Sequence, residues 1–294
     1  MRIQIDGKKI PYPLGSLRGR LLLAGLSELQ AAQAIHEILT SEDLKDPEET
    51  DLQKLVLSWL ATNKLSSVAH YENLLAYDRA RSRPDGPPPI IVAIEGASAT
   101  GKSMIALDLL TRLNATRYIS TDTVRHMLRG MFSETSHPEL HCHTYQAFRH
   151  KQEGPTELHE TVRGFISQTN LVQPKIMELT HRVLLEGAMG VVEGVHMIPG
   201  SLHSLGSSAI EVLVSPSEEL HEAMFQTKRS VGKLKSVSGD EGERRDEFEA
   251  TCRIQEFMLS KARIENVTIV EFEHYEGAVE QISSRILETV DALI

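Results

Sequence analysis

Eight consecutive residues carry the clearest chemistry in the chain: Gly96, Ala97, Ser98, Ala99, Thr100, Gly101, Lys102 and Ser103. The spacing G-x-x-x-x-G-K-S lets a backbone curl until its N–H groups face phosphate oxygens. Lys102 would then reach the β- and γ-phosphates of ATP, and Ser103 would offer a hydroxyl to Mg²⁺. Such a pattern also arises by chance. Here an unbroken apolar run at 90–94 precedes it and a helical pattern over 102–114 follows it. A helix that starts there points its N-terminus at the same anion. The dinucleotide fingerprint G-x-G-x-x-G is absent from this segment.

Phosphoryl transfer also needs a carboxylate to organise Mg²⁺ and usually a base beside the acceptor hydroxyl. Two acids end predicted strands. Asp122 follows Tyr118-Ile-Ser-Thr, and Glu193 follows Gly190-Val-Val. Asp122 is read as the base or substrate-positioning group, although it could equally cap the next helix. Glu193 is read as the Mg²⁺ carboxylate, against a plain strand-end acid.

Arg125 and Arg129 lie four apart and share a helix face, and their guanidinium forks suit phosphate or carboxylate. The segment 119–125 resembles the nucleoside monophosphate kinase layout, in which an arginine after the second strand holds the acceptor's phosphate. A solvated helix face would carry the same residues. Lys228, Arg229, Lys233, Lys235, Arg244 and Arg245 flank a polar stretch over 232–243. This reads as a lid over ATP, or as a surface loop balanced by Asp240, Glu241 and Glu243. His137, His141, Cys142 and His143 have short spacing that zinc could use, but no Cys-x-x-Cys or H-E-x-x-H accompanies them. A loop lining the acceptor pocket, or simple packing, is the better reading.

The elements that must position these residues follow from the rhythm of the chain. Residues 3–10 alternate around Asp6-Gly7, a tight hairpin signal. Helical spacing runs over 14–40, broken at Gly25, with Ser27 capping a second helix whose apolar face is Leu29, Ala32, Ile35, Ile38 and Leu39. Leu52, Leu55, Val56, Trp59 and Leu60, and then Tyr71, Leu74, Leu75 and Tyr77, repeat the period. Four prolines and a glycine over 84–89 mark a stiff linker. Beyond it, strands at 90–94, 117–120, 190–192, 209–214 and 267–272 alternate with helices, the long helical stretch after 160 being interrupted at Pro174. The fold class is therefore α/β, a P-loop kinase-type parallel sheet flanked by helices. A small, mainly helical N-terminal domain precedes it, opening on a β-hairpin. The boundaries are 1–83, a linker at 84–89 and a kinase domain at 90–294.

Composition agrees. The 294 residues carry a net charge of -10, which argues against non-specific binding to nucleic acid or a membrane surface. Two distant cysteines, no apolar leader and no long apolar run point to a soluble, cytoplasmic protein.

Taken together, these residues resemble the archaeal 2-phosphoglycerate kinases over nearly the whole length. The matching stretches are Pro13-Leu-Gly-Ser-Leu with Ala24-Gly-Leu26, the loop 96–103, and Ser120-Thr-Asp-Thr-Val-Arg125. Further on come His141 with Thr144-Tyr-Gln-Ala-Phe148, Gly164-Phe-Ile-Ser-Gln168, and Glu186-Gly followed by Val192-Glu-Gly-Val-His-Met-Ile-Pro199. Met104, Phe148 and Phe248 depart from the family's usual Thr, Trp and Tyr. The resemblance implies transfer of the γ-phosphoryl of ATP, with Mg²⁺, to the 3-hydroxyl of 2-phosphoglycerate. It also implies an ATP-cone-like regulatory module at 1–83. Lys102, Asp122, Glu193 and Arg125 would be catalytic. Arg125, Arg129, His141, Tyr145 and His196 would bind substrate, and Arg229, Arg244 and Arg245 would serve the lid. The partner would be a small phosphorylated hydroxy acid, with self-association left open. Two other readings stand beside this one: a P-loop kinase for another acidic metabolite or nucleotide, and an ATP-sensing regulator with no acceptor.

Overall fold

A computed structural model describes residues 2–5, 7–40, 47–63, 65–232 and 240–294. Strands β1 (Arg2–Ile5) and β2 (Lys8–Pro11) pair antiparallel with Ile5 opposite Lys8, and Gly7, just before β2, takes a positive φ of 73°. Four helices follow: α1 (Leu14–Leu23), α2 (Glu28–Thr40), α3 (Glu49–Thr62) and α4 (Ser67–Arg81). Ser27 and Gln30 form a reciprocal cap on α2. The Ser27 hydroxyl accepts from the Gln30 N–H at 3.3 Å, and the Gln30 side chain accepts from the Ser27 N–H at 2.9 Å.

The expected apolar face of α2 is corrected in part by packing: Ile38 is buried and Ile35 packs against the core as expected, but Leu29, Ala32 and Leu39 are exposed. Its buried residues are Ala31, Ala34 and Ile38, whereas Leu29 is 79% exposed and Leu39 also faces outward. Ala31 and Ala34 share the buried face with Ile38, so the apolar stripe is rotated away from Leu29 and Leu39.

The second part is a five-stranded, all-parallel sheet in the order β4-β5-β3-β6-β7. Its strands are β3 (Ile91–Glu95), β4 (Arg117–Ser120), β5 (Gly190–Gly194), β6 (Ala209–Pro216) and β7 (Thr268–Phe272). Its helices are α5 (Lys102–Arg112), α6 (Thr121–Met131), α7 (Glu160–Leu185), α8 (Glu218–Gly232), α9 (Glu241–Ile264) and α10 (Tyr275–Leu293). Central β3 is buried along its whole length because both of its faces are covered. Val92 and Ile94 face α5, α10 and the N-terminal helices, while Ile91 and Ala93 join the cluster under α6 and α7.

One more expectation changes. α7 runs unbroken through Pro174. Pro174 and Asn170, whose carbonyl loses its helical donor, both lie on the exposed side, where water replaces the missing bond. The Pro-rich stretch is also bound down: Tyr77 Oη donates to the Pro88 carbonyl at 2.6 Å. One apolar cluster spans it, with Leu17, Leu21 and Tyr71 on one side and Ile94, Ile105 and Ile286 on the other. No helix among the described residues is long and apolar enough to cross a membrane.

Candidate active site

The carboxyl ends of β3, β4 and β5 open into one cavity of about 630 Å³. One wall is the phosphate loop. Gly96 sits at φ 150°, and a Cβ there would come 2.7 Å from Thr100 Oγ1 and 3.2 Å from the Val214 carbonyl, so the turn requires glycine. The loop is braced from outside by side chains far away in sequence. Gln255 accepts from the Ala97 N–H at 2.8 Å and donates to the Val214 carbonyl at 3.0 Å. His221 Nε2 donates to the Ser98 carbonyl at 2.8 Å.

Lys102 is buried at the start of α5 and donates to the Ala97 carbonyl at 2.5 Å and to Thr100 Oγ1 at 3.1 Å. Burial pushes its pKa down to about 8, against the pull of nearby Glu193. Glu193 ends β5 beside the loop. Ser103 Oγ donates to its Oε2 at 3.2 Å, and Tyr118 Oη donates to its Oε1 at 3.0 Å. Burial, then the neighbouring Glu193 charge, raises the Tyr118 pKa and keeps that proton on the phenol.

The opposite wall begins where β4 turns into α6. Asp122 lies in the first turn of α6 with 68% of its side chain exposed to the cavity, and Arg125 pairs with it at 3.2 Å. Desolvation inside the cavity works against ionisation of Asp122, but the surrounding cations Arg125, Lys228 and Lys102 outweigh it. They hold its carboxyl below the usual range. Arg125 also donates to the Leu140 and Cys142 carbonyls, at 3.3 and 2.5 Å. Tyr145 and His143 complete this wall with their rings stacked, centroids 5.1 Å apart.

The structure brings Lys102, Ser103, Asp122, Arg125, Tyr145 and Glu193 to this cavity and sets other expected residues elsewhere. Arg129 donates to the Leu140 carbonyl at 2.6 Å and so fastens the same loop as Arg125 instead of facing the cavity. His141 Nε2 donates to the Phe132 carbonyl at 3.0 Å. His196 is fully buried behind the wall. Its Nδ1 accepts from Thr121 Oγ1 at 3.0 Å and its Nε2 donates to Gln168 Oε1 at 2.8 Å; burial pushes its pKa down to about 3, so it is a neutral strut.

Arg244 is buried and donates to the Phe225 and Gln226 carbonyls, tying α9 to α8, and Arg245 is exposed on α9. Neither lines the cavity. Lys233, Lys235 and the Arg229 side chain lie outside the described residues. The histidine run is spread over separate partners, His137 on Ser136, His141 on Phe132 and Cys142 on Glu139, while His143 lines the cavity. No group of three or more metal-ligating side chains occurs among the described residues.

Sequence reading missed Tyr118, Gln168, His221 and Gln255. A strand-period signal existed for Tyr118, which shares a strand face with Ser120, the residue opposite Glu193. Gln168 stood in a stretch that carries the resemblance but with no role marked, while Gln255 and His221 act across the fold and leave no local signal.

Comparison with known proteins follows the same lines. No family model matches the chain. It is 27% identical to the 2-phosphoglycerate kinase of Methanopyrus kandleri, over 97% of this chain and 86% of that one. It is 28% identical to the enzyme of the same name from Methanococcus vannielii, over 90% and 84%, and 27% identical to that of Methanocaldococcus jannaschii, over 99% and 93%. The chain is similar to archaeal 2-phosphoglycerate kinases from end to end. Among solved structures, a shikimate kinase from Bacteroides thetaiotaomicron aligns with 69% of this chain and 98% of its own at a TM-score of 0.42 and 11% identity. A shikimate kinase from Acinetobacter baumannii aligns at 0.40 and 14%, over 69% and 94%.

Proposed function

We propose that this chain is a kinase that transfers the γ-phosphoryl group of ATP to the 3-hydroxyl of 2-phosphoglycerate, giving 2,3-diphosphoglycerate and ADP. One observation carries the reading: Asp122, ionised and paired with Arg125, faces the phosphate loop across a single cavity. A protein that only senses ATP needs no such second wall. The full-length similarity to proteins named 2-phosphoglycerate kinase supports the choice of acceptor.

The loop N–H groups and Lys102 hold the ATP phosphates. Asp122 takes the proton of the acceptor hydroxyl as its oxygen bonds to the γ-phosphorus. The bond from that phosphorus to the β–γ bridging oxygen breaks, and its electron pair stays on ADP. Arg125, held by two backbone carbonyls, offers its remaining donors to an anionic group of the acceptor. Ser103 and Glu193 are hard oxygen donors facing the same cavity, the set that suits Mg²⁺; the ion would neutralise phosphate charge there. The N-terminal part fits a regulatory role because α1 lies directly on α5, the helix behind the phosphate loop.

The test is ADP release by the purified full chain with Mg-ATP and a panel of phosphorylated hydroxy acids, 3-phosphoglycerate and nucleoside monophosphates. Release stimulated by 2-phosphoglycerate alone is the expected result. Stimulation by another member overturns the acceptor, and no stimulation by any member overturns the kinase reading. Saturation by ATP should show a second, modulating phase; a simple one-site curve in the full chain removes the regulatory role.

A further inference from the structure

α8 lies with one face along the phosphate loop. His221, Met224, Phe225 and Lys228 share that face at i, i+3, i+4 and i+7. His221 grips the Ser98 carbonyl, and Lys228 Nζ donates to Ser98 Oγ at 2.8 Å. Phe225 anchors the helix against Tyr145 and Phe248. The position of Lys228 over the loop is therefore fixed at several points.

Its partner is unusual for a lysine so placed. Among the described residues, no carboxylate stands within ion-pair distance of Lys228, and a neutral hydroxyl is its one hydrogen-bond partner. An ammonium has three donors, so two remain for the cavity that Lys228 lines. Burial lowers its pKa, Asp122 and Glu247 partly restore it, and Arg125 opposes. A partly buried cation without a carboxylate, held at the phosphate loop, is placed to meet an anion that arrives with the substrate.

We propose that Lys228 is a catalytic residue whose ammonium moves from Ser98 Oγ to the non-bridging oxygens of the phosphoryl group in transfer. This is the task that the chain's basic residues suggested for a lid arginine; Arg244 is tied to carbonyls of α8, and Arg245 is exposed on α9 without lining the cavity. Lys228 gains and loses no proton in the step. The hydroxyl proton passes to Asp122 and the bridging electron pair to ADP, while Lys228 offsets charge on the oxygens that belong to neither bond.

The inference rests on the kinase reading above, and two measurements separate their failures. The first is kcat for ADP release in wild type and in Lys228→Met, Lys228→Arg and Arg245→Ala. Lys228→Met should lower kcat by about 100-fold, Lys228→Arg should stay within about 10-fold of wild type, and Arg245→Ala within about 3-fold. The second needs no acceptor: the preference for ATP over ADP in direct binding. Lys228→Met should reduce that preference by about 10-fold and leave ADP affinity unchanged. Turnover within about 3-fold of wild type in Lys228→Met overturns the proposal. So does an equal loss of ATP and ADP affinity, which would make Lys228 a brace for the loop. If wild type turns over no acceptor, the kinase reading fails, and an unaltered ATP preference in Lys228→Met still overturns the role of Lys228.

Discussion

The two walls of the cavity are built in opposite ways. The donor wall is one continuous run, 96–103, whose own backbone makes the binding surface and whose glycines make the turn. The acceptor wall is gathered from 120–125, 138–145, Gln168 and His196, and is held together by buried polar contacts. A wall made of backbone depends on few side chains. A wall made of a side-chain network depends on all of them, because each broken contact leaves a buried partner unsatisfied. Changes on the donor side should therefore strike turnover through ATP, and changes on the acceptor side should strike acceptor binding and stability while sparing ATP.

The largest effect expected is Lys102→Ala. Loss of the loop cation should lower kcat by about 1,000-fold, measured as ADP release, and a variant within about 10-fold of wild type would sink the loop mechanism. Lys102 also gives the donor wall a pH signature. Only its charged form grips phosphate, so kcat/KM for ATP should fall as pH rises through about 8. The stability of the free protein moves the other way. The folded pKa, about 8, lies below the ordinary 10.5, so the unfolded chain holds more protons in that window and stability rises with pH across it. Lys102→Ala should flatten both slopes.

Asp122→Asn follows. A lost general base costs about 100- to 10,000-fold in kcat, and ATP affinity should stay within about 3-fold of wild type, read by titration. Turnover within a few-fold of wild type would show that Asp122 serves only as a first-turn acid of α6 and partner of Arg125. An equal loss of ATP affinity would erase the division between the walls.

The same contrast explains what could be read before folding. The phosphate loop, the strand-helix alternation, and the places of Asp122 just past β4 and of Glu193 near the end of β5 are local, so spacing was enough to place them. Arg129 and His141 belong to segments that are local too, yet their side chains are turned onto the Leu140 and Phe132 carbonyls. Spacing places a residue on an element but does not say which of two nearby acceptors its side chain takes. Gln168 reaches His196 and the Cys142 carbonyl, and Gln255 reaches the loop, from helices far along the chain. In α2, the leucines were a stronger signal than the alanines, but the buried face is Ala31, Ala34 and Ile38.

Gln168→Leu tests the network itself. It takes the 2.8 Å acceptor from the His196 Nε2–H and the amide donor from the Glu139 carbonyl, while the Cys142 carbonyl keeps Arg125, so stability should fall by about 1–3 kcal/mol in urea unfolding. The acceptor KM should rise with the ATP KM unchanged. A rise in both would show that the network supports the whole cavity. His196 adds an acid limb. Its folded pKa of about 3 lies below the ordinary 6.5, so the unfolded chain binds the extra proton, and stability is lost as pH falls from 6.5 toward 3. His196→Asn should lessen that loss relative to wild type.

The smallest effect expected is the most discriminating, because Tyr118 stands between the walls. It comes from β4, the strand that leads into Asp122, yet its hydroxyl donates to Glu193 on the donor side. Tyr118→Phe removes one hydrogen bond and no volume. The phenol is 43% exposed, so water can replace it and the loss is modest, about 3- to 10-fold in kcat. If Tyr118 steadies Glu193 as a Mg²⁺ ligand, the half-saturating Mg²⁺ concentration should rise by a similar factor with the acceptor KM unchanged. If the acceptor KM rises and the Mg²⁺ requirement does not, Tyr118 belongs to the acceptor wall. Glu193 would then stand as a carboxylate that faces Ser103 without organising the metal.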